Sequence, residues 1–398
     1  MRLNVDDAEL ASCVSCGLCL PHCPTYRVTG EESAAPRGRI AAMRAVHAGA
    51  PADDAFVGFM EACVQCRGCE TACPSAVPFG RLMAGTRETL AAAGHSRRWW
   101  ERLGYRLLGH HRTLLALSSA LAVVQRTWAV PRRLGLPVLP VRRRPLSPVA
   151  PSVSSGERAT PVWLFTGCVM DAWQRPVHAA TLRVLAAAGG EVTLPSAGAA
   201  CCGALAEHAG LGDHARRLAD RVIAAFPGQA PVLVNSAGCG AILKDYGRLL
   251  GTPEAERFST RVLDVHEWLA DRLDRLPAPP ASRPPARVAV QDPCHLRHVQ
   301  HRHRAVRQVL SPFVDLVDLD DDGVCCGAGG AYSAQQPELA GAIRGRKVAS
   351  IARSGAGTVA SANPGCALHL AAAGLDVRHP MELLDEALAL DEGAHVGR

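Results

Sequence analysis

Residues Cys13–Cys23 read C-V-S-C-G-L-C-L-P-H-C and are followed by Pro24, and Cys63–Cys73 read C-V-Q-C-R-G-C-E-T-A-C and are followed by Pro74. Both are C-x2-C-x2-C-x3-C-P, offset by 50 residues. Three thiolates two residues apart let one short turn present sulfur to three corners of an iron–sulfur cube. The fourth, before a proline, is directed at the cube of the other repeat. The spacing therefore predicts one [4Fe–4S] cluster on Cys13, Cys16, Cys19 and Cys73 and a second on Cys63, Cys66, Cys69 and Cys23. Pro24 and Pro74 are expected to bar a helix from running through the loops. Gly17 and Gly68 are expected to let the backbone approach inorganic sulfide. Zinc fits less well, because its tetrahedron uses two separated C-x2-C pairs and has no role for a third nearby Cys. Disulfides require an oxidising compartment. The stretch MRLNVDDAEL has neither the basic nor the apolar region of a secretory signal, so a cytoplasmic setting is expected.

Eight of the sixteen cysteines remain. Cys168, the pair Cys201-Cys202 and Cys239 form one set, and Cys294, the pair Cys325-Cys326 and Cys366 form another, with 126 residues between Cys168 and Cys294. Each is expected at a strand end or helix start, where backbone N–H groups and the helix dipole favour thiolate. Two half-sites of four cysteines are then expected to face each other across a pseudo-symmetric domain. Such a set could hold a further cluster, act as a dithiol, or serve as buried structural thiols. The adjacent Cys201 and Cys202 are expected to splay unless such a cluster is distorted.

The elements that position these residues follow from composition and periodicity. A chain of 398 residues, 48% hydrophobic but only 4% aromatic, is long enough for two or three domains. Residues 1–95 read as an α-helical ferredoxin-like two-cluster module, in which the helix begun by Arg37-Gly-Arg-Ile brings an arginine face to negatively charged clusters. Residues 96–160 read as an Arg-rich helical connector and linker. Positions 97–144 hold eleven Arg and one acidic residue, Glu101. The longest uncharged run there, Thr113–Gln125, is 13 residues, short of the roughly 20 needed to span a bilayer. The connector is expected to lie at a membrane surface, to dock on a partner, or to pack over the clusters. No nucleic-acid recognition motif accompanies its arginines. The linker proper is Pro/Ser-rich 145–160.

Beyond it, strand and helix alternate. Strands are predicted at Val162–Phe165, Glu191–Leu194, Val232–Val234, Val288–Gln291, Val314–Asp318 and Thr358–Ser361. The helices between them are expected at Pro176–Ala188, Asp213–Ala225, Ala241–Leu250, Arg304–Leu310, Glu338–Ile351 and Cys366–Ala373. That alternation predicts α/β layers, with cysteine-rich repeats at 161–280 and 281–398. The whole reads as an α+β multidomain protein with a C-terminal pseudo-duplicated α/β cysteine-rich domain. His295, His298, His301 and His303 are interleaved with arginines and read as a solvated basic face. Gly327-Ala-Gly-Gly is not a dinucleotide fingerprint, and no flavin or nicotinamide site is visible.

The layout C-x(about 30–40)-CCG-x(about 35)-C, present twice, resembles the duplicated cysteine-rich domain of heterodisulfide-reductase-type proteins. Its fusion to two ferredoxin repeats resembles the glycolate oxidase iron–sulfur subunits, with local matches at CVSCGLCLPHCPTY, PRGRI, AGCGAILKDYG, CCGAGGAYS and ANPGC. The heterodisulfide-reductase-type domain often ends each half with C-x2-C, whereas Ser236 and Asn363 stand at the first of those positions here. The resemblance implies an electron relay between FAD-containing partner subunits that oxidise glycolate to glyoxylate and a quinone-type acceptor, with possible peripheral contact at the inner face of the cell membrane. Alternatives within the architecture are the iron–sulfur subunit of an anaerobic glycerol-3-phosphate or lactate dehydrogenase, or a heterodisulfide-reductase-like enzyme.

Overall fold

Short apolar runs separated by helices assemble into two parallel four-stranded sheets in a computed structural model. It describes residues 1–95, 99–127, 138–153, 158–195, 201–280 and 286–390, without the side chains of 99–102 and 127. Strands β1 (Thr160–Phe165), β2 (Gly190–Thr193), β3 (Val232–Val234) and β4 (Val262–Asp264) lie in the order β2-β1-β3-β4. Strands β5 (Arg287–Val290), β6 (Asp315–Asp318), β7 (Thr358–Ala360) and β8 (Asp376–Arg378) repeat that order as β6-β5-β7-β8. Val162, Leu164, Phe165, Val232, Leu233 and Val234 are all buried, as central parallel strands covered on both faces must be. The six predicted strands are present to within two residues at each end. The pattern does not mark strands β4 and β8, because VLD and DVR each carry charge within three positions, unlike the VLV of β3 and the TVA of β7. The expected Ala241–Leu250 helix is two helices, Ala237–Leu243 and Tyr246–Leu250. The break turns Tyr246 inward, where its hydroxyl donates to Cys202 O at 2.8 Å. Strand β1 begins inside the stretch expected to be linker, of which 154–157 lie outside the described residues, as do 96–98 and 128–137 of the connector and the tail 391–398.

The two sheets are joined by an exchange of terminal helices. The Val265–Ala270 helix of the first half packs on the His303–Leu310 helix of the second, and the Pro380–Ala387 helix of the second packs on Arg175–Ala187 of the first. One apolar core therefore runs through both halves, including Leu185, Trp268, Val306, Leu310, Met381 and Leu384. Arg183 closes the seam with two hydrogen bonds to Asp385, at 2.8 and 2.5 Å. Buried imidazoles stand on the same seam, with the His266 and His379 rings stacked 5.8 Å apart. His379 bonds through Nε2 to Asn235 O at 2.9 Å and accepts from Met381 N at 3.1 Å. His178 lies between Thr166 O at 2.9 Å and Asn235 Nδ2 at 3.0 Å.

The N-terminal module is helical and packs its own core of Met43, Met60, Leu82, Met83 and Leu90. Gly85 has no alternative there, since a Cβ would sit 1.8 Å from Asn4 O. The connector supplies two helices, Trp99–Leu108 and His111–Thr127. The second covers the first half of the cysteine-rich domain, burying Leu114 in one cluster with Cys168, Cys201 and Leu218. Trp173 Nε1 donates to Ser118 Oγ at 2.9 Å and Arg143 Nη1 to Ser119 Oγ at 2.7 Å. The cysteines the connector covers are therefore Cys168 and Cys201 of the cysteine-rich domain, whereas the packing expected from sequence is over the N-terminal clusters. Leu117, Val123 and Val124 on its outer face are 53%, 49% and 43% exposed. Among the described residues no helix is long and apolar enough to cross a membrane.

Burial lowers His178 to about 4 and His379 to about 3, from an ordinary 6.5. Both stay neutral in the native protein while the unfolded chain takes up protons below 6.5. Their contribution is therefore fully present above pH 6.5 and is lost as pH falls toward 4 and then 3. His379→Gln keeps a donor and an acceptor but does not titrate. Its urea midpoint should fall less steeply between pH 6.5 and 4 than that of the wild type, and equal slopes would contradict the assignment.

Candidate metal centre

The two N-terminal loops share one strained backbone. Ser15 and Gly17 in the first and Gln65 and Arg67 in the second have φ of 57, 84, 59 and 60°. A left-handed conformation costs a non-glycine residue about 1–2 kcal/mol, so the surroundings impose it, as is common where side chains are aimed at a ligand. Arg67 takes the place that Gly17 holds in the first loop. Gly68, by contrast, has no positive φ and opens the short Gly68–Thr71 helix. Pro24 does more than bar a helix: it starts the Pro24–Thr29 helix, with Cys23 as its N-cap.

Arginines clamp these loops by their carbonyls. From the Pro36–His47 helix, Arg37 donates to Ser15 O at 3.0 Å and Arg44 to Cys13 O at 2.7 Å. Arg39 is only 1% exposed and donates to Phe59 O at 2.7 Å. Arg87 reaches Met60 O at 2.7 Å and Cys63 O at 2.8 Å. On the Pro36–His47 helix, Arg37 and Arg44 thus reach the carbonyls of the first loop, while Arg39 bonds to Phe59 O and Thr25 Oγ1.

Cys23, Cys63, Cys66 and Cys69 line one small cavity together with Arg39 and Phe79. Burial, then the neighbouring Cys66, Cys63 and Cys23, raise the Cys69 thiol well above its ordinary value. Burial also raises Cys23, against the pull of Arg39. Cys13, Cys19 and Cys73 pack on the same apolar core, and Cys16 is exposed.

In the cysteine-rich domain the carboxyl ends of the central strands carry the sulfur. Cys168 and Cys239 follow β1 and β3, and Cys294 and Cys366 follow β5 and β7. These are the switch points where doubly wound sheets place ligands. Each adjacent pair splays. Cys201 bonds to Cys168 and Cys202 lies 3.3 Å from Cys239. In the second half Cys325 lies 4.0 Å from Cys294, and Cys326 bonds to Cys366. Gly203 and Gly327 follow the pairs at φ of 85 and 89°, and a Cβ on Gly327 would approach Ala340 O to 2.8 Å. The two quartets do not face each other in contact. Every thiol contact among these eight stays within its own half, and the halves meet instead through Ala237 N to Ala362 O and Gly238 N to Asn363 Oδ1, both 3.0 Å.

Hydrogen bonds from Cys168 and Cys202 hold Cys201 well below the usual thiol range, and those from Cys325 and Cys366 do the same for Cys326. Their donors are pushed up. Four clustered sulfurs, three of them buried, that ionise only in part fit a cationic metal–sulfide core, which would let all of them become thiolate. One contact breaks the pseudo-symmetry: Cys66 of the second N-terminal loop bonds to Cys325 of the second half.

The spacing did not foretell the histidines. His295 bonds to Gln65 O at 3.1 Å and His298 to Thr71 Oγ1 at 2.9 Å, so both brace the second loop, whereas His301 is exposed as expected.

All sixteen cysteines are free, and the donor sets define an iron–sulfur protein. Residues 9–77 match the family described as 4Fe-4S dicluster domain, and 162–244 and 288–371 match the cysteine-rich domain family. A probable glycolate oxidase iron-sulfur subunit of Bacillus subtilis is 34% identical over 92% of this chain and 89% of that protein. The glycolate oxidase iron-sulfur subunit of Escherichia coli is 31% identical over 96% and 95%. A subunit of the dihydromethanophenazine:CoB–CoM heterodisulfide reductase of Methanosarcina acetivorans is 29% identical over 96% and 95%. The chain belongs to the family of glycolate oxidase iron–sulfur subunits.

Arg39 is the cation buried beside Cys23 and Cys66. Its charge favours uptake of an electron by a centre held there. Arg39→Gln should shift the reduction potential, followed by EPR in a redox titration, to more negative values. An unmoved potential at full iron content would show that Arg39 acts on the backbone alone.

Proposed function

We propose that this chain is the electron-relaying subunit of a glycolate dehydrogenase complex, in which an FAD-bearing partner oxidises glycolate to glyoxylate and electrons leave through this chain to a quinone-type acceptor. The contact of Cys66 with Cys325 carries the reading, because it joins the cavity of Cys23, Cys63, Cys66 and Cys69 to the quartet of Cys294, Cys325, Cys326 and Cys366. Two [4Fe–4S] clusters are assigned to Cys13, Cys16, Cys19 and Cys73 and to Cys63, Cys66, Cys69 and Cys23. Either quartet of the cysteine-rich domain has the donors for a further iron–sulfur group. When bound, such groups carry single electrons and do not themselves oxidise an alcohol.

The residues of the chain hold and insulate. Arg37, Arg44 and Arg87 fix the ligand loops, His295 and His298 brace the second, and the connector helix shields Cys168 and Cys201 from water. A lactate- or glycerol-3-phosphate-oxidising flavoprotein could use the same relay. Near full-length similarity to glycolate oxidase subunits supports glycolate. Leu117, Val123 and Val124 lie exposed on a helix that also carries Arg112 and Arg126, and that combination suits contact with an anionic lipid surface at the inner face of the cell membrane.

On this reading the isolated chain does not oxidise glycolate, and the flavoprotein partner restores electron transfer to a dye or quinone. In the complex, Cys66→Ser should slow reoxidation of the flavin and leave its reduction by glycolate nearly untouched, which stopped-flow absorbance separates. Glycolate oxidation by the isolated chain, or slowed flavin reduction with normal reoxidation, would end the relay assignment.

A further inference from the structure

A cavity of about 390 Å³ lies where the N-terminal module meets both halves of the cysteine-rich domain. Its walls reach three of the cysteine sets. Gln65 stands next to Cys66, Gly238 next to Cys239, and His295 next to Cys294.

The charge on the walls says what kind of molecule fits. Arg67, Arg81 and Arg248 are balanced by Glu70, Glu207 and Asp245. Each arginine is already engaged: Arg67 with Glu70 at 2.7 Å, Arg248 with Asp245 at 2.5 Å, and Arg81 with Glu9. A carboxylate or phosphate ligand would have to break one of these pairs to gain a counter-charge. A neutral ligand does not. Val77, Phe79, Met83, Ile242 and Val299 supply apolar wall for a ring, and Glu207 and His208 are among the polar groups that line the same cavity. The rest of the wall is charged or polar but engaged with its own neighbours, Arg67 with Glu70, His295 with Gln65 O and His298 with Thr71 Oγ1, which leaves the apolar residues free for a neutral ligand.

We infer that the cavity binds the headgroup of a quinone, a neutral acceptor of two electrons and two protons. The inference rests on the relay proposed above. The quinone becomes quinol by taking two electrons, one at a time, that originate in the reduced flavin of the partner, and two protons that come from water. Glu207 is the group placed to pass them on. It faces Arg248 at 3.9 Å and His208 at 3.8 Å, with Asp245, Arg67 and Arg87 beyond. Burial pushes its carboxyl up against the pull of Arg248, and a carboxylic acid positioned in a cavity can give and regain a proton.

Two substitutions test this in the assembled complex, with a short-chain soluble quinone and a one-electron dye as alternative acceptors. A 4-hydroxyquinoline N-oxide, a fluorescent quinone mimic, measures binding to this chain directly by quenching. Val299→Trp fills the cavity and should weaken binding of the mimic and lower the ratio of quinone to dye turnover, each by about tenfold or more. Glu207→Gln should bind the mimic as the wild type does and lower kcat for quinone on the order of 100-fold with little change in KM. Unchanged binding and an unchanged ratio in Val299→Trp, at wild-type iron content, would overturn the site. A wild-type complex that reduces the dye and never a quinone would overturn the acceptor reading itself, and the inference with it.

Discussion

Buried sulfur is the constraint on which this structure turns. A thiolate out of water is costly unless a cation or hydrogen-bond donors compensate it, and the chain gathers its thiols into a few tight groups. The N-terminal loops answer with arginines: Arg39 lies within reach of the Cys23 and Cys66 charges, and Arg37, Arg44 and Arg87 tie down the carbonyls that shape the loops. The cysteine-rich domain answers with hydrogen bonds among the thiols themselves, the splayed pairs at 201–202 and 325–326 each linking two other cysteines. Neither arrangement neutralises four thiolates at once, which is the reason the donor sets suit iron–sulfur cores.

Duplication supplies two equivalent switch points, and the rest of the chain makes them unequal. The first quartet is roofed by the connector through Leu114. The second abuts the N-terminal module, where Cys325 meets Cys66 and Tyr332 donates to Ala62 O at 3.2 Å. The exchanged terminal helices hold the two halves in one core, so this difference in surroundings is built into the fold and does not depend on a hinge.

Much of this was legible in the sequence because the chemistry is written in spacing. The repeated C-x2-C-x2-C-x3-C-P brought Cys23 to the loop of the other repeat, and the strand–helix alternation placed Cys168, Cys239, Cys294 and Cys366 after buried strands. What stayed hidden depends on distant packing. Nothing local marks β4 or β8, whose few residues pair only because β3 and β7 are already in place. His295 and His298 looked like a solvated face because their partners, Gln65 and Thr71, lie more than 200 residues away. The same holds for Cys66 and Cys325, and for the helix exchange between the halves.

Crossed ligation, in which the fourth cysteine of each N-terminal repeat serves the other repeat, is what ties the two loops into one module on this reading. The most direct measurement is a crystal structure of the iron-loaded protein with anomalous data collected at the iron edge. Crossed ligation gives an iron peak enclosed by Cys23, Cys63, Cys66 and Cys69 and a second bound by Cys73 with Cys13, Cys16 and Cys19. Iron bound by Cys23 together with Cys13, Cys16 and Cys19 would contradict it.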